Sequence, residues 1–158
     1  MKRNWRDTMF VRLWSLKNVF LLYFVKPSIL EVNERRCVVR VPLNWRTRRR
    51  DIHAMYLGVL CMGADVAAGL IAFMIVARTK ARVSFIFKDM KAEFLKRAEG
   101  HVVFTNEDGA IIQELIRKTL ESGEREEATV HVIATVPTKL GDEPVARFEL
   151  TLSLKRRG

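Results

Sequence analysis

Asp65 is the only charged side chain in residues 54–77, a stretch otherwise composed of apolar, aromatic and glycine residues. A carboxylate buried without partners is costly or shifts its pKa until it is neutral, so an acid there requires a reason. Such a group can activate water as a general base or attack an electrophilic carbon itself. Gly58 lies seven residues earlier, near what reads as a helix N-terminus, where backbone N–H groups and the positive end of the helix dipole favour negative charge developing on an oxygen. Seven residues are two helical turns, so Gly58 and Asp65 share one face. His53, about one turn before Gly58, can add a polar group; a histidine near a helix start serves equally as a cap or a surface residue. The plain alternative for Asp65 is a structural one, a hydrogen bond to neighbouring backbone with no reaction attached.

Glycines and alanines at Gly58, Gly63, Ala64, Ala67, Ala68 and Gly69 let other backbone, side chains or a ligand approach closely, against the ~1 kcal/mol that each helical Gly costs relative to Ala. The run is long enough for a transmembrane helix. Asp65 near its centre opposes that, and so do the basic flanks at both ends, Arg46 to Arg50 and Arg78 to Arg82, which give no positive-inside asymmetry. The strongly patterned strands that follow also need an apolar element to cover them. Residues 54–77 are therefore expected to form a buried core helix.

Before this helix, Asp7 or Thr8 can cap an N-terminal helix over about 6–26. Its apolar residues Phe10, Leu13, Trp14, Phe20 and Leu21 recur at three-to-four spacing and should lie on something. Residues 29–43 read as a strand pair or one long bent strand ending at Pro42, and residues 44–51 as a basic loop. After the core helix come strands at 83–87 and 91–98, broken near Asp89-Met90, and a strand from His101. A short amphipathic helix follows, capped by Asn106 or Asp108 and closed at Gly123. The last third is the cleanest pattern. Ala128, Val130, Val132, Ala134 and Val136 alternate with polar residues or Ile133, and Ala146, Phe148, Leu150, Leu152 and Leu154 alternate with polar residues only, which predicts two antiparallel strands joined through residues 139–143.

At 158 residues the chain suits one domain of α+β class. The net charge of +10 points to anionic partners such as nucleic acid, anionic lipid or a phosphate-bearing molecule. Cys37 and Cys61 are far apart and lack metal-type spacing, which favours a reducing compartment and a cytoplasmic setting. Arg6, Asp7, Arg12 and Lys17 interrupt the apolar N-terminal stretch, so it is not read as a signal peptide. No Gly-rich phosphate loop, metal-ligand cluster or serine elbow is present in the sequence.

The order of elements, a long Gly/Ala-rich helix after a strand and then four more strands, resembles the hotdog fold. Gly58 and the triplet Gly63-Ala64-Asp65 resemble the phenylacetate-pathway branch of acyl-CoA thioesterases, whose helix start reads Asn, His-Gly-Gly and then Leu-Ala-Asp. A related hotdog branch of uncharacterised domains is similar as well. The segment Phe94-Leu95-Lys96-Arg97-Ala98-Glu99-Gly100 is similar to the family's Tyr-Leu-Arg-Pro-Ala strand before Gly. The chain departs from that pattern at Tyr56, where the family has His, at Leu57, where it has the first Gly, and at Arg50, where it has Asn.

The resemblance implies one hotdog domain over 1–158 that hydrolyses acyl-CoA or a related acyl thioester, with no cofactor beyond the coenzyme A of the substrate and no metal. Asp65 would serve across the interface of a homodimer or dimer of dimers, paired with a donor from the other subunit near Gly58, with His53 assisting. Tyr56, Arg50, Lys96 and Arg97 would contact the substrate, and the basic surplus, Arg48 and Arg49 included, would meet the coenzyme A phosphates. A second reading is a non-catalytic hotdog protein that binds an acyl chain or acyl carrier. A third is nucleic-acid binding through residues 46–50 and 155–157, which lack interleaved aromatics beyond Trp45 and any recognition-helix motif. No nucleic-acid partner and no membrane span are expected.

Overall fold

The computed structural model describes residues 4–157. Six strands form one antiparallel sheet: β1 (Ser28–Val32), β2 (Cys37–Val41), β3 (Val83–Phe94), β4 (Val102–Asn106), β5 (Glu126–Thr135) and β6 (Pro144–Arg156), in the order β1-β2-β4-β5-β6-β3. The sheet wraps the long helix α3 (Leu57–Thr79), the arrangement of a hotdog fold. Helices α1 (Trp5–Asn18) and α2 (Phe20–Val25) precede the sheet, α4 (Gly109–Ser122) lies between β4 and β5, and a single turn α5 (Pro137–Leu140) joins β5 to β6.

The period-two pattern of the last third places Val130, Val132 and Ala134 of β5 and Phe148, Leu150, Leu152 and Leu154 of β6 in the core, together with Ala64, Ala67, Ala68, Ile71 and Ala72 of α3. Although α3 is long and apolar enough to cross a bilayer by length and composition, this burial makes it the core helix. Small residues decide how closely it seats. A Cβ on Gly63 would fall 2.3 Å from ring carbons of Phe104 on β4, a distance that no side chain occupies. Gly63 is therefore the point at which the helix beds against the sheet.

Several boundaries differ from the sequence reading, each for a local reason. The helix starts at Leu57 rather than at 54, because Ala54 and Met55 are tied into a buried loop: the Arg49 N–H donates to Ala54 O at 2.9 Å, and Met55 bridges Arg48 and donates to Ala98 O at 2.9 Å. β3 is continuous, with a bulge at Lys88 between the Phe87↔Leu152 and Asp89↔Thr151 pairs. It ends at Phe94 instead of reaching residue 98. Phe94 already pairs with Ala146, and β6 begins at Pro144, so the N–H groups of Leu95 and Lys96 converge on Val145 O. The N-terminal helix breaks into two at Val19, and its cap is Asn4, whose side chain accepts from the Asp7 N–H, not Asp7 or Thr8. Its buried stripe is also not the one the periodicity suggested. Thr8, Val11 and Ser15 face inward, and Phe10, Leu13 and Trp14 are exposed. α4 starts after Asp108 and closes at Gly123 in the left-handed region (φ 72°), as the sequence indicates.

Candidate active site

Asp65 lies on a half-buried face of α3. There α1, α2, α3 and the first half of β3 enclose a cleft of about 350 Å³. Phe73, two turns beyond Asp65, holds α1 in place through ring contacts with Phe10 (centroids 5.8 Å) and Trp14 (5.7 Å, edge-on). Met62, Gly69 and Leu70 of α3 and Phe85, Ile86 and Phe87 of β3 complete the walls, and Asp65 is the only ionisable group among them. Burial pushes its carboxyl above the ordinary carboxylate range. Among the described residues no hydrogen bond or ion pair engages it. An unpartnered carboxylate with raised basicity, facing an apolar cleft, is suited to removing a proton or attacking a carbonyl.

The start of α3 is built from the loop after β2. The Thr47 hydroxyl donates to Pro42 O at 2.6 Å and accepts from the Asn44 N–H at 3.0 Å, and Thr47 O accepts from the Tyr56 N–H at 2.9 Å. Tyr56 occupies the N-cap without a side-chain cap bond, and its carbonyl takes the N–H groups of Val59 and Leu60. The Leu57 and Gly58 N–H groups thus have no acceptor among the described residues. They remain as donors at the positive end of a 23-residue helix. Tyr56 lays its ring over Gly58, where a Cβ would stand 2.8 Å from the ring edge.

The structure brings some of the sequence-derived candidates together and separates others. The bond from the Met55 N–H to Ala98 O sets the turn containing His53 and Tyr56 beside the loop carrying Lys96 and Arg97, and the Arg48 bridge draws in the basic loop as well. His53 is not on the helix one turn before Gly58. It is an exposed turn residue in the left-handed region (φ 52°), held there by the loop that delays the helix start. Arg50, Lys96 and Arg97 are exposed and outside the cleft, Lys96 in an ion pair with Glu143. Arg49 pairs with Asp51 and holds its carboxyl below the usual range. Sequence reasoning missed the lining aromatics Phe10, Trp14, Phe73, Phe85 and Phe87. The three-to-four spacing of Phe10 and Trp14 was their one visible signal.

The family model of a domain of unknown function, DUF4442, matches residues 9–154. The chain belongs to this family. No curated protein matches it. Solved structures share the architecture of this DUF4442 chain at low identity. One from Pseudomonas aeruginosa, described as a protein of unknown function and probable thioesterase, superposes with a TM-score of 0.78 at 19% identity over 95% of this chain and 96% of that one. A protein of unknown function from Chlorobaculum tepidum gives a TM-score of 0.81 at 8% identity over 98% of both chains. A thioesterase from Haemophilus influenzae gives 0.67 at 12% identity, covering 92% of this chain and 88% of its own. Over nearly its whole length the DUF4442 chain has the hotdog fold.

Proposed function

We propose that this DUF4442 chain is an acyl-thioester hydrolase that acts on acyl-CoA or a closely related thioester. The observation that carries the reading is Asp65, unpartnered and with its carboxyl pushed up by burial, in the wall of an apolar cleft. The acyl chain lies along the aromatic walls, and Asp65 removes a proton from the attacking water or attacks the thioester carbon directly. The Gly58 and Leu57 N–H groups receive the negative charge that develops on the carbonyl oxygen. Thioesterase descriptions among the solved structures of similar fold agree with this chemistry.

One protomer cannot apply both groups to one carbonyl. Seven helical residues separate Gly58 from Asp65 by roughly 10 Å along the axis, whereas an oxyanion donor must stand about 3 Å from the oxygen. We therefore assign the complete site to a homodimer, in which Gly58 of one protomer faces Asp65 of its partner. β3 is a twelve-residue strand at the sheet edge with Ile86, Met90 and Phe94 exposed, and it is the natural edge for pairing with a second copy. Lys96, Arg97, Arg48 and Arg50, beside the α3 N-terminus, would meet the phosphates of coenzyme A, with Tyr56 over the thioester and His53 at the rim.

Release of free thiol from a graded series of acyl-CoA substrates tests the proposal. The apolar walls predict faster hydrolysis of medium and long chains than of acetyl-CoA. Absence of turnover across the series overturns it. The substitutions Arg50 and Tyr56, where the thioesterase pattern carries Asn and His, favour a second reading, a non-catalytic acyl-binding protein. Calorimetric binding of acyl-CoA without thiol release would establish that reading instead.

A further inference from the structure

Helix α1 is built inside out. Its inward stripe, Thr8, Val11 and Ser15, is small and largely hydroxylic: the Ser15 hydroxyl donates to Val11 O at 2.6 Å, and Thr8 both donates to Ile29 O and accepts from its N–H. Of its larger apolar side chains, Phe10 and Trp14 reach Phe73 only at the cleft edge and stay part-exposed, and Leu13 and Leu16 point outward. Of the nineteen large hydrophobics exposed among the described residues, nine fall within residues 5–24, including Leu13 and Phe20 at 62% exposure. Trp45, at 67%, extends the face by packing edge-on against Phe24 (5.9 Å), with the Arg46 guanidinium over both rings. Trp14 at the cleft wall and Trp45 on Phe24 both belong to this region, and Trp5 is exposed at the start of α1. An apolar face this concentrated marks an interaction site.

Charge identifies the occupant. Residues 4–26 carry Arg6, Arg12, Lys17 and Lys26 against Asp7, and the adjoining loop 44–51 carries Arg46, Arg48, Arg49 and Arg50 against Asp51. Eight cations and two acids on and beside an apolar, tryptophan-rich face match an anionic lipid surface, whose interfacial layer takes amphipathic indoles while its headgroups attract Lys and Arg. A second copy of this chain would bring the same cations against themselves. Phe10, Trp14, Val19 and Leu21 belong both to this face and to the cleft wall, so the Asp65 cleft opens through it. We propose that the α1–α2 face with the Trp45 loop docks the protein on an anionic phospholipid bilayer, with the cleft mouth turned toward the lipid. This inference goes beyond thioester hydrolysis and stands whether or not turnover is found.

Vesicle co-sedimentation and tryptophan emission test it with the full chain. With vesicles of equal parts phosphatidylcholine and phosphatidylserine the protein should co-sediment and its emission shift to the blue. With phosphatidylcholine alone, or in high salt, binding should fall tenfold or more. The triple variant Leu13→Ser, Leu16→Ser, Phe20→Ser, none of which lines the cleft, and separately the pair Arg48→Glu, Arg49→Glu, should each lose binding tenfold or more with melting temperatures close to the parent's. Failure of the parent protein to bind the mixed vesicles overturns the proposal, as does undiminished binding by both variants. A parent oligomer that the triple variant dissociates assigns the face to a second copy and overturns it as well.

Discussion

Asp65 links stability and activity through one proton. Burial raises its carboxyl above the ordinary value of 3.8, so the folded protein holds the proton more tightly than the unfolded chain. The stability this contributes is full below the unfolded pKa and is lost as pH rises through the folded one. Activity runs the other way, because a base or nucleophile works only after losing the proton. Between acid and neutral pH, turnover should therefore rise, while the melting temperature of the parent should drop relative to that of Asp65→Asn, which should melt at or above the parent at neutral pH; the difference between the two cancels the opposite contribution of Asp51, Glu114 and Glu127, whose carboxyls are held low. Thermal melts of both proteins across this range check it. A parent melting temperature that gains on that of Asp65→Asn as pH rises would mean that the carboxylate has a stabilising partner. The lone acid was legible in the sequence because charge stands out in an apolar run. The absence of a partner was not, because the groups facing Asp65 come from α1 and β3, far away in the chain.

At the scale of elements, three glycines give contrasting expectations. Gly63→Ala sets a Cβ against the Phe104 ring and should destabilise by about 1–3 kcal/mol, read from the denaturant midpoint. Gly109→Ala is worse placed. Its Cβ would fall 2.2 Å from Glu34 O and 2.4 Å from Arg35 Cα, in backbone that cannot swing aside, so the seat of α4 on the β1–β2 hairpin should open. Gly69→Ala meets Phe87 at 3.4 Å, an ordinary contact, and should be neutral or stabilise by up to ~1 kcal/mol through helix propensity while narrowing the cleft toward shorter chains. A Gly69→Ala protein much less stable than its parent would contradict this placement of α3 against β3. Small residues on α3 announced close approach in the sequence, but not what approaches: for Gly63 it is a core phenylalanine, for Gly69 the cleft wall. Strands β5 and β6 were readable because each buries one face and alternation reports that directly. The N-terminal stripe was legible only in part: Phe10 and Trp14 lie on Phe73 of α3, while Leu13 and Phe20 stay exposed, because periodicity finds an apolar stripe without saying how much of it is covered.

For the whole molecule, the hotdog architecture followed from element order, whereas the cleft needed tertiary placement, since four separate elements build it. The proposed site takes groups from two protomers, so solution mass at micromolar concentration should be at least twice 18.3 kDa. A monomer would leave the oxyanion donors and Asp65 on separate carbonyls. In the proposed reaction Asp65 performs the chemistry. The most direct measurement is thiol release by Asp65→Asn beside the parent, on the acyl-CoA the parent hydrolyses fastest and with both proteins shown to be folded. The variant should lose about 10²-fold or more in kcat with its melting temperature level or raised. Undiminished kcat in the variant would contradict it.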